Sequence, residues 1–256
     1  MKTSQYAAVA LLTLLLAGCA CPEKRPLPSA QAAPTAASFA TVISAPDRSE
    51  TDRKTDARRK PADLLAFVDV KPGARILDIG AGGGYTAELL ARAAGKQSMV
   101  WGQNDQGMME KFVKTAFDNR ATALKDYRLI KHVADFENPV PPGAAPLDLV
   151  TIVLIYHDIA YLPVDRSKML KNLYAAMKPG ATLVIVDHSA KTGEGVSVAK
   201  TLHRIEEATV RAELEAAGFV LVGESNFQRN ADDARNEAFF KLKTPTDQFA
   251  LKYRKP

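Results

Sequence analysis

From about Asp47 onward, short apolar runs alternate with amphipathic segments. The apolar runs predict seven β-strands, and these are Arg75–Asp78, Ser98–Gln103, Arg128–Val133, Leu147–Ile155, Thr182–Asp187, Val220–Ser225 and Phe249–Arg254. The amphipathic segments predict helices at Pro61–Val68, Tyr85–Ala94, Gln106–Asp118, Arg166–Met177 and Glu206–Ala217. The central runs, 149–155 and 183–186, are almost wholly apolar, which is typical of strands covered on both faces. We therefore expect an α/β protein with a doubly wound, mostly parallel, seven-stranded sheet.

The first 46 residues have a different character from the rest of the chain. A basic start and an apolar run from Tyr6 to Ala17 predict a secretory signal peptide over residues 1–18. Residues 19–46 are rich in Ala and Pro and predict a disordered tether, which leaves 47–256 as the folded domain.

The signal segment ends in Leu-Ala-Gly-Cys19, which resembles the lipobox of bacterial lipoproteins. That resemblance implies that Cys19 becomes lipidated, and Ala20 after it favours the periplasmic face of the outer membrane. An ordinary cleaved signal with incidental cysteines is the alternative. Since Cys19 and Cys21 are the only cysteines, the domain has no disulfide and no thiolate nucleophile.

Composition and charge narrow the classes of partner. Of the 256 residues, 46% are hydrophobic and 25% are charged, as in an ordinary folded protein with a real core. The net charge of +5 comes from basic residues dispersed among acids, with no basic stripe interleaved with aromatics. We therefore expect no nucleic-acid partner.

Four glycines stand within five residues in the segment Leu77-Asp-Ile-Gly-Ala-Gly-Gly-Gly-Tyr85, between a predicted strand and a predicted helix. Glycine inside a strand or helix costs about 0.5–1 kcal/mol relative to alanine, so this density needs a geometric reason. In open α/β sheets, ligands bind beyond the carboxyl ends of the strands, where bare backbone permits close approach. Two ligand classes compete for such a turn: dinucleotides, through their pyrophosphate, and S-adenosylmethionine, which has no phosphate.

Asp78, Gly80, Gly82 and Gly84 spell D-x-G-x-G-x-G, which resembles motif I of the class I S-adenosylmethionine-dependent methyltransferases. The resemblance implies that this acid and the glycine loop hold the amino-acid end of the cofactor. It also implies a Rossmann-like fold with an antiparallel last strand. An acid facing a pyrophosphate is unfavourable, which argues against a nicotinamide-dependent oxidoreductase.

Later segments resemble the same family in the same order, over about Ala62 to Phe227. The segment Val-Ala-Asp135-Phe136 resembles the one that contacts adenine, which implies that Asp135 accepts from the adenine amino group and that Phe136 lies near the ring. Residues 146–153 resemble motif II, and 177–187 resemble the motif that opens the fifth strand. With the lipobox and the tail 243–249, the chain resembles a group of predicted exported bacterial methyltransferases.

The end of the second predicted strand departs from the family pattern. Members usually carry an acid there that holds both ribose hydroxyls, whereas this chain has Asn104, or Gln103 before it. An amide still accepts a hydrogen bond, but without charge assistance the bond is about half as strong. We nevertheless expect Asn104 at the cofactor.

Three of the four histidines fall after predicted strands, in the pairs His157-Asp158 and Asp187-His188 and at His203. Methyl transfer to oxygen or nitrogen is helped by a base near the operating pH, which suits histidine. We predict that one of these three removes the acceptor proton, oriented by Asp158 or by the acid before His188. A structural role is the alternative for each, and His132 is assigned to it.

The same histidines and carboxylates are suitable metal ligands, but the close H-x-H or H-x-x-x-H spacing of many metal sites is absent. We therefore expect no metal. The sequence predicts an S-adenosylmethionine-dependent methyltransferase that acts on a small-molecule acceptor and is tied to the membrane through Cys19. The competing hypothesis is an exported protein of this fold that binds another ligand or is a non-catalytic scaffold.

Overall fold

The computed structural model describes residues 35–256. The predicted signal peptide, Cys19 and the first part of the predicted tether lie outside the described residues. Within 35–256, no helix is long and apolar enough to cross a membrane.

Seven strands form one sheet in the order β3-β2-β1-β4-β5-β7-β6. Their bounds are β1 Arg75–Ile79, β2 Met99–Asn104, β3 Arg128–Val133, β4 Leu147–Val153, β5 Met177–His188, β6 Val220–Ser225 and β7 Gln248–Arg254. Strand β7 is antiparallel to both of its neighbours, and all other pairings are parallel. The predicted seven-stranded, mostly parallel sheet with an antiparallel last strand is confirmed.

Ten α-helices accompany this sheet in residues 35–256. They are α1 Ala40–Ile43, α2 Glu50–Arg59, α3 Pro61–Val68, α4 Tyr85–Ala94, α5 Gln106–Met108, α6 Ala116–Ala123, α7 Tyr156–Tyr161, α8 Arg166–Ala176, α9 Ala199–Leu202 and α10 Glu207–Ala216. The apolar sides of α7, α8 and α10 pack on one face of the sheet, and those of α3, α4 and α6 pack on the other. The doubly wound arrangement explains why the central strands are apolar on both faces.

Helix α2 was not predicted as a separate element, because it contains almost no apolar residue. Its carboxylates instead pair with arginines outside the helix: Asp56 lies 2.6 Å from Arg48, and Asp52 lies 2.6 Å from Arg120. The chain before it is also ordered, since helical turns cover 36–43 and Phe39 is buried. The ordered part therefore begins before Asp47, the predicted first residue of the folded domain.

The single helix predicted at Gln106–Asp118 is instead broken into α5, a π-helical turn at Met109–Val113, and α6. Lys114 has a φ of 48° at the break. Gly107 and Thr115 are poor helix formers, which weakens this segment. The break leaves Phe112 80% exposed at the rim of the cavity described next.

Candidate active site

A cavity of about 700 Å³ lies at the carboxyl ends of β1 and β4. The strand order reverses between these two strands, which is the switch point where open α/β sheets bind ligands. The glycine turn forms one wall, and α7 and the segment after α9 contribute Asp158, Tyr161 and His203 to another. The predicted cofactor turn and part of the predicted acceptor side therefore share one space.

Gly80 and Gly82 of the glycine turn have different structural roles. Gly80 and Gly82 have φ angles of 60° and 56°, where side chains other than glycine are rare. A Cβ on Gly80 would lie 2.5 Å from Ile155 Cγ1, so this glycine permits close packing against the end of β4. A Cβ on Gly82 would meet nothing within 4 Å, and this residue lines the cavity.

Two buried amides of β2 hold the glycine turn in place. Asn104 Oδ1 accepts from the Gly82 amide at 2.7 Å, and its Nδ2 donates to the Gly82 carbonyl at 3.1 Å. Gln103 accepts from the Gly80 amide at 3.1 Å and donates to the Ala134 carbonyl. Both amides are fully engaged with backbone and neither lines the cavity. The structure therefore places Asn104 on the loop, where it shapes the turn, rather than on a ribose.

This arrangement predicts that Asn104→Asp destabilises the protein. The carboxylate would be buried and would face the Gly82 carbonyl with no proton to donate, at an expected cost of about 1–3 kcal/mol in the free energy of unfolding. Urea unfolding of the full chain measures this loss, with the exposed Asn119→Asp as the matched control. A variant of wild-type stability that binds S-adenosylhomocysteine more tightly would instead place residue 104 on the ribose.

Asp78 is buried at the end of β1, with 1% of its surface exposed. Thr151 donates to its Oδ1 at 2.6 Å, whereas its Oδ2 is buried and has no hydrogen-bond partner among residues 35–256. Burial raises the pKa of this carboxyl to about 7. A buried acceptor without a partner is costly, so the cavity is prepared for a ligand that brings a donor or a cation to Asp78.

Arg59, at the end of α2, also lines the cavity, and no pattern in the sequence indicated this role. It makes no ion pair with any described residue, and its guanidinium lies 5.5 Å from the centre of the Tyr85 ring. The side chain of Gln228 donates to the Arg59 carbonyl at 3.0 Å and fixes the backbone there. A guanidinium free of carboxylates is available to an anionic group of a ligand.

The predicted adenine contacts lie elsewhere in the structure. Phe136 is buried in the hydrophobic core because it packs with the residues on one face of the sheet, and Asp135 is exposed. Neither lines the cavity, whose apolar rim is formed instead by Met108 and Phe112.

The predicted catalytic residues form a chain of two hydrogen bonds and one ion pair that starts in the interior. Asp187, at the end of β5, accepts from the His157 backbone amide at 2.8 Å and lies 2.5 Å from its Nδ1. His157 Nε2 lies 3.2 Å from Asp158 Oδ1. Burial alone would lower the pKa of His157, but the two carboxylates raise it to about 10. His157 is therefore a buried imidazolium between two carboxylates, whose Nδ1 bonds to Asp187 and whose Nε2 lies at ion-pair distance from Asp158 without forming a hydrogen bond to any residue in 35–256.

The chain continues to the cavity through Asp158 and His203. The Nδ1 atom of His203 lies 2.7 Å from Asp158 Oδ1, the oxygen that also faces His157. Burial would raise the pKa of Asp158, but its bonds to the two histidines lower it. Because a carboxylate can only accept, Nδ1 of His203 carries a proton and donates it in a hydrogen bond to Asp158. The lone pair of the neutral ring is therefore on Nε2.

The backbone holds His203 firmly in this position. Its φ of 52° is left-handed because it is the C-cap residue of α9, and its backbone amide donates to the Ala199 carbonyl. The next residue, Arg204, is fully buried and donates to the Asp233 carboxylate at 2.8 Å and 3.1 Å. Ile205 then donates from its backbone to the His188 carbonyl.

His188 takes no part in this chain. It is buried, its Nδ1 lies 2.6 Å from Thr246 Oγ1, and its ring stacks on Phe239 with centroids 4.7 Å apart. Burial, with the nearby positive charge of His157, lowers its pKa well below the usual value. The structure thus brings His157, Asp158 and His203 together and separates His188 from the main cavity.

The side chains of His157, Asp158 and His203 also lie close enough together to hold a metal ion. One nitrogen each of His157 and His203 and one oxygen of Asp158 lie within 4.8 Å of one another. Both nitrogens face the same carboxylate oxygen at hydrogen-bond or ion-pair distance, which is the arrangement of a proton-sharing chain.

The chain matches a known protein family over most of its folded part. Residues 51–224 match the family described as "Methyltransferase domain". A trans-aconitate 2-methyltransferase from Variovorax paradoxus (strain S110) is 29% identical over 140 residues, which are 52% of this chain and 46% of that protein. This chain thus spans about half the length of that curated relative.

Solved structures share the fold at low sequence identity. A SAM-dependent methyltransferase from Aquifex aeolicus aligns with a TM-score of 0.56 and 19% identity, over 80% of this chain and 97% of that one. The [4+2]-cyclase SpnF aligns with a TM-score of 0.58 and 17% identity, over 79% of this chain and 82% of that one. With the family match, the chain belongs to the methyltransferase-domain family that its motifs predicted, with S-adenosylmethionine as its cofactor.

Proposed function

We propose that this protein transfers the methyl group of S-adenosylmethionine to a small molecule at an atom that must lose a proton, with His203 as the base. The observation that carries the proposal is the position of His203. Its Nδ1 is held by Asp158 at 2.7 Å, and its ring lines the same cavity as Asp78 and the glycine turn.

The residues of the cavity fit the amino-acid end of this cofactor. The partnerless Oδ2 of Asp78 would accept from the ammonium group, and the guanidinium of Arg59 would donate to the carboxylate. Gly82 leaves open space beside them. When bound, S-adenosylmethionine supplies a methyl group on a positively charged sulfur.

The acceptor proton would be taken by Nε2 of His203. Protonation of this ring creates a positive charge, which the Asp158 carboxylate stabilises through the Nδ1 bond. His157, held by Asp187, keeps Asp158 in place and in its charged form. Only His203 acts directly on the acceptor here, and the other three are positioning residues.

A base of this kind favours a hydroxyl or an amine as the methyl acceptor, because these groups lose a proton on methylation. A carboxylate is already deprotonated at neutral pH and gains little from a base. The hydrogen bond between His203 and Asp158 beside the cofactor cavity favours the catalytic function over the non-catalytic alternative.

Calorimetry of the full chain with S-adenosylmethionine and with S-adenosylhomocysteine tests the cofactor assignment. We expect both to bind, and Gly82→Leu to abolish binding because its side chain would enter the cavity. Gly95→Leu is the matched control, since Gly95 also has a positive φ and open space around its Cβ but lies at the end of α4. Absence of binding to the wild type at millimolar ligand contradicts the proposal.

The cellular location of the protein is proposed from the sequence alone. The segment that ends at Cys19 supports export and a lipid anchor. Incorporation of a labelled fatty acid that is lost in Cys19→Ala would test this.

A further inference from the structure

A second cavity, of about 450 Å³, lies between the end of α2 and the segment that leads into β7. Its wall contains residues 242–246, most of which belong to the sequence tail 243–249, and also contains His188. The methyl-transfer chemistry proposed above uses none of these residues.

The charge of this cavity is positive. Arg58 and Lys243 line it, both are exposed, and neither forms an ion pair with any residue in 35–256. No carboxylate is among the residues that line it. Two cations that face one concave space without a counter-charge attract an anion.

His188 adds a neutral donor to the same wall. Thr246 Oγ1 accepts from Gln248 at 3.2 Å and lies 2.6 Å from His188 Nδ1, to which the Thr246 hydroxyl can donate its proton. The proton of the neutral ring is then on Nε2, which makes His188 a hydrogen-bond donor without a charge. An N–H donor beside two cations is well suited to an oxyanion.

The second cavity adjoins the catalytic one. Phe239 and Phe240 line both cavities. One face of Phe239 stacks on His188, and its ring centre lies 6.0 Å from that of His203. A ligand in the second cavity would therefore sit one aromatic ring away from the proposed base.

We propose that this second cavity binds a carboxylate or phosphate group of the methyl acceptor, and so selects anionic acceptors. Arg58 and Lys243 would supply the charge and His188 would supply a directed hydrogen bond. The inference rests on the proposed function, because it assigns the substrate class for the same reaction.

Histidine ring signals in an NMR titration of the full chain test the proposal, since the protein has only four histidines. The probes are inorganic phosphate and tricarballylate at constant ionic strength, which distinguish a phosphate site from a carboxylate site. We expect at least one probe to shift the His188 signals saturably. Arg58→Gln and Lys243→Gln should each weaken its binding about tenfold, as expected for loss of a charge-assisted bond.

The matched control is Lys125→Gln, which removes an exposed lysine that lines neither cavity. Its affinity for the probe should equal that of the wild type. The proposal is overturned if neither probe shifts His188 saturably, or if Lys125→Gln weakens binding as much as the other two variants. The affinity for S-adenosylhomocysteine, measured on the same variants, should equal that of the wild type. If the wild type itself fails to bind S-adenosylhomocysteine, that result counts against the proposed function rather than against the anion site.

Discussion

Replacement of His203 by asparagine is expected to lower kcat by about 10²–10⁴-fold, the usual contribution of a general base. Asparagine removes the imidazole lone pair but keeps an N–H group that can donate to Asp158. It also tolerates the left-handed backbone at this position, so the fold should be preserved. The affinity for S-adenosylhomocysteine should stay at the wild-type value, because His203 acts on the acceptor.

The split between catalysis and binding separates a base from a merely structural residue. His203→Asn should lower kcat and leave both the affinity for S-adenosylhomocysteine and the free energy of unfolding close to the wild-type values. His132→Asn is the control, because His132 lies on β3 and lines neither cavity. A kcat close to that of the wild type, once an acceptor is known, would exclude His203 as the base. Loss of wild-type activity on treatment with a chelator would indicate a metal on these side chains instead.

The sequence predicted the elements whose signals are local. Strands β3 and β6 and helix α4 have the predicted bounds because the spacing of their own apolar residues determines their faces. Helix α2 lacks such a signal, since Asp52 and Asp56 are stabilised by arginines outside the helix. The mostly parallel sheet and its antiparallel last strand could be predicted, whereas an element held by ion pairs with distant residues could not.

The site was predicted by residue type, but roles within it depend on packing. His157 lies in α7, His188 ends β5 and His203 follows α9. The ring centre of His157 lies 5.5 Å from that of His188 and 5.6 Å from that of His203. Only the folded chain shows which nitrogen faces a carboxylate and which ring reaches the cavity. The amide of Asn104 is a similar case, because its bonds to Gly82 connect residues 22 positions apart.

Asp78→Asn is expected to weaken cofactor binding at least about tenfold and, at the same time, to stabilise the free protein above neutral pH. The pKa of Asp78 is about 7 in the folded protein, against 3.8 when unperturbed. Below the lower value the group is protonated in both states. As the pH rises from there to 7, the unfolded state releases this proton before the folded state does. The free energy of unfolding therefore falls over this range.

Each tenfold difference in proton affinity is worth about 1.4 kcal/mol, so burial of the charged carboxylate costs on the order of 4 kcal/mol at pH 8. Asparagine does not ionise and keeps an oxygen to accept from Thr151. The stability of Asp78→Asn should therefore exceed that of the wild type by an amount that grows between about pH 4 and 7. Urea unfolding of the full chain at several pH values measures this difference, with the exposed Asp63→Asn as the control.

The gain in stability and the loss of binding have the same cause. The partnerless oxygen that makes Asp78 costly in the free protein is the atom available to the cofactor ammonium, and an amide lacks the charge that pairs with it. We expect the affinity for S-adenosylhomocysteine to fall at least about tenfold in Asp78→Asn and to stay unchanged in Asp63→Asn. A variant that is less stable than the wild type at pH 8 and still binds normally would show that Asp78 is a structural residue, because a group kept for the cofactor must cost stability when the cofactor is absent.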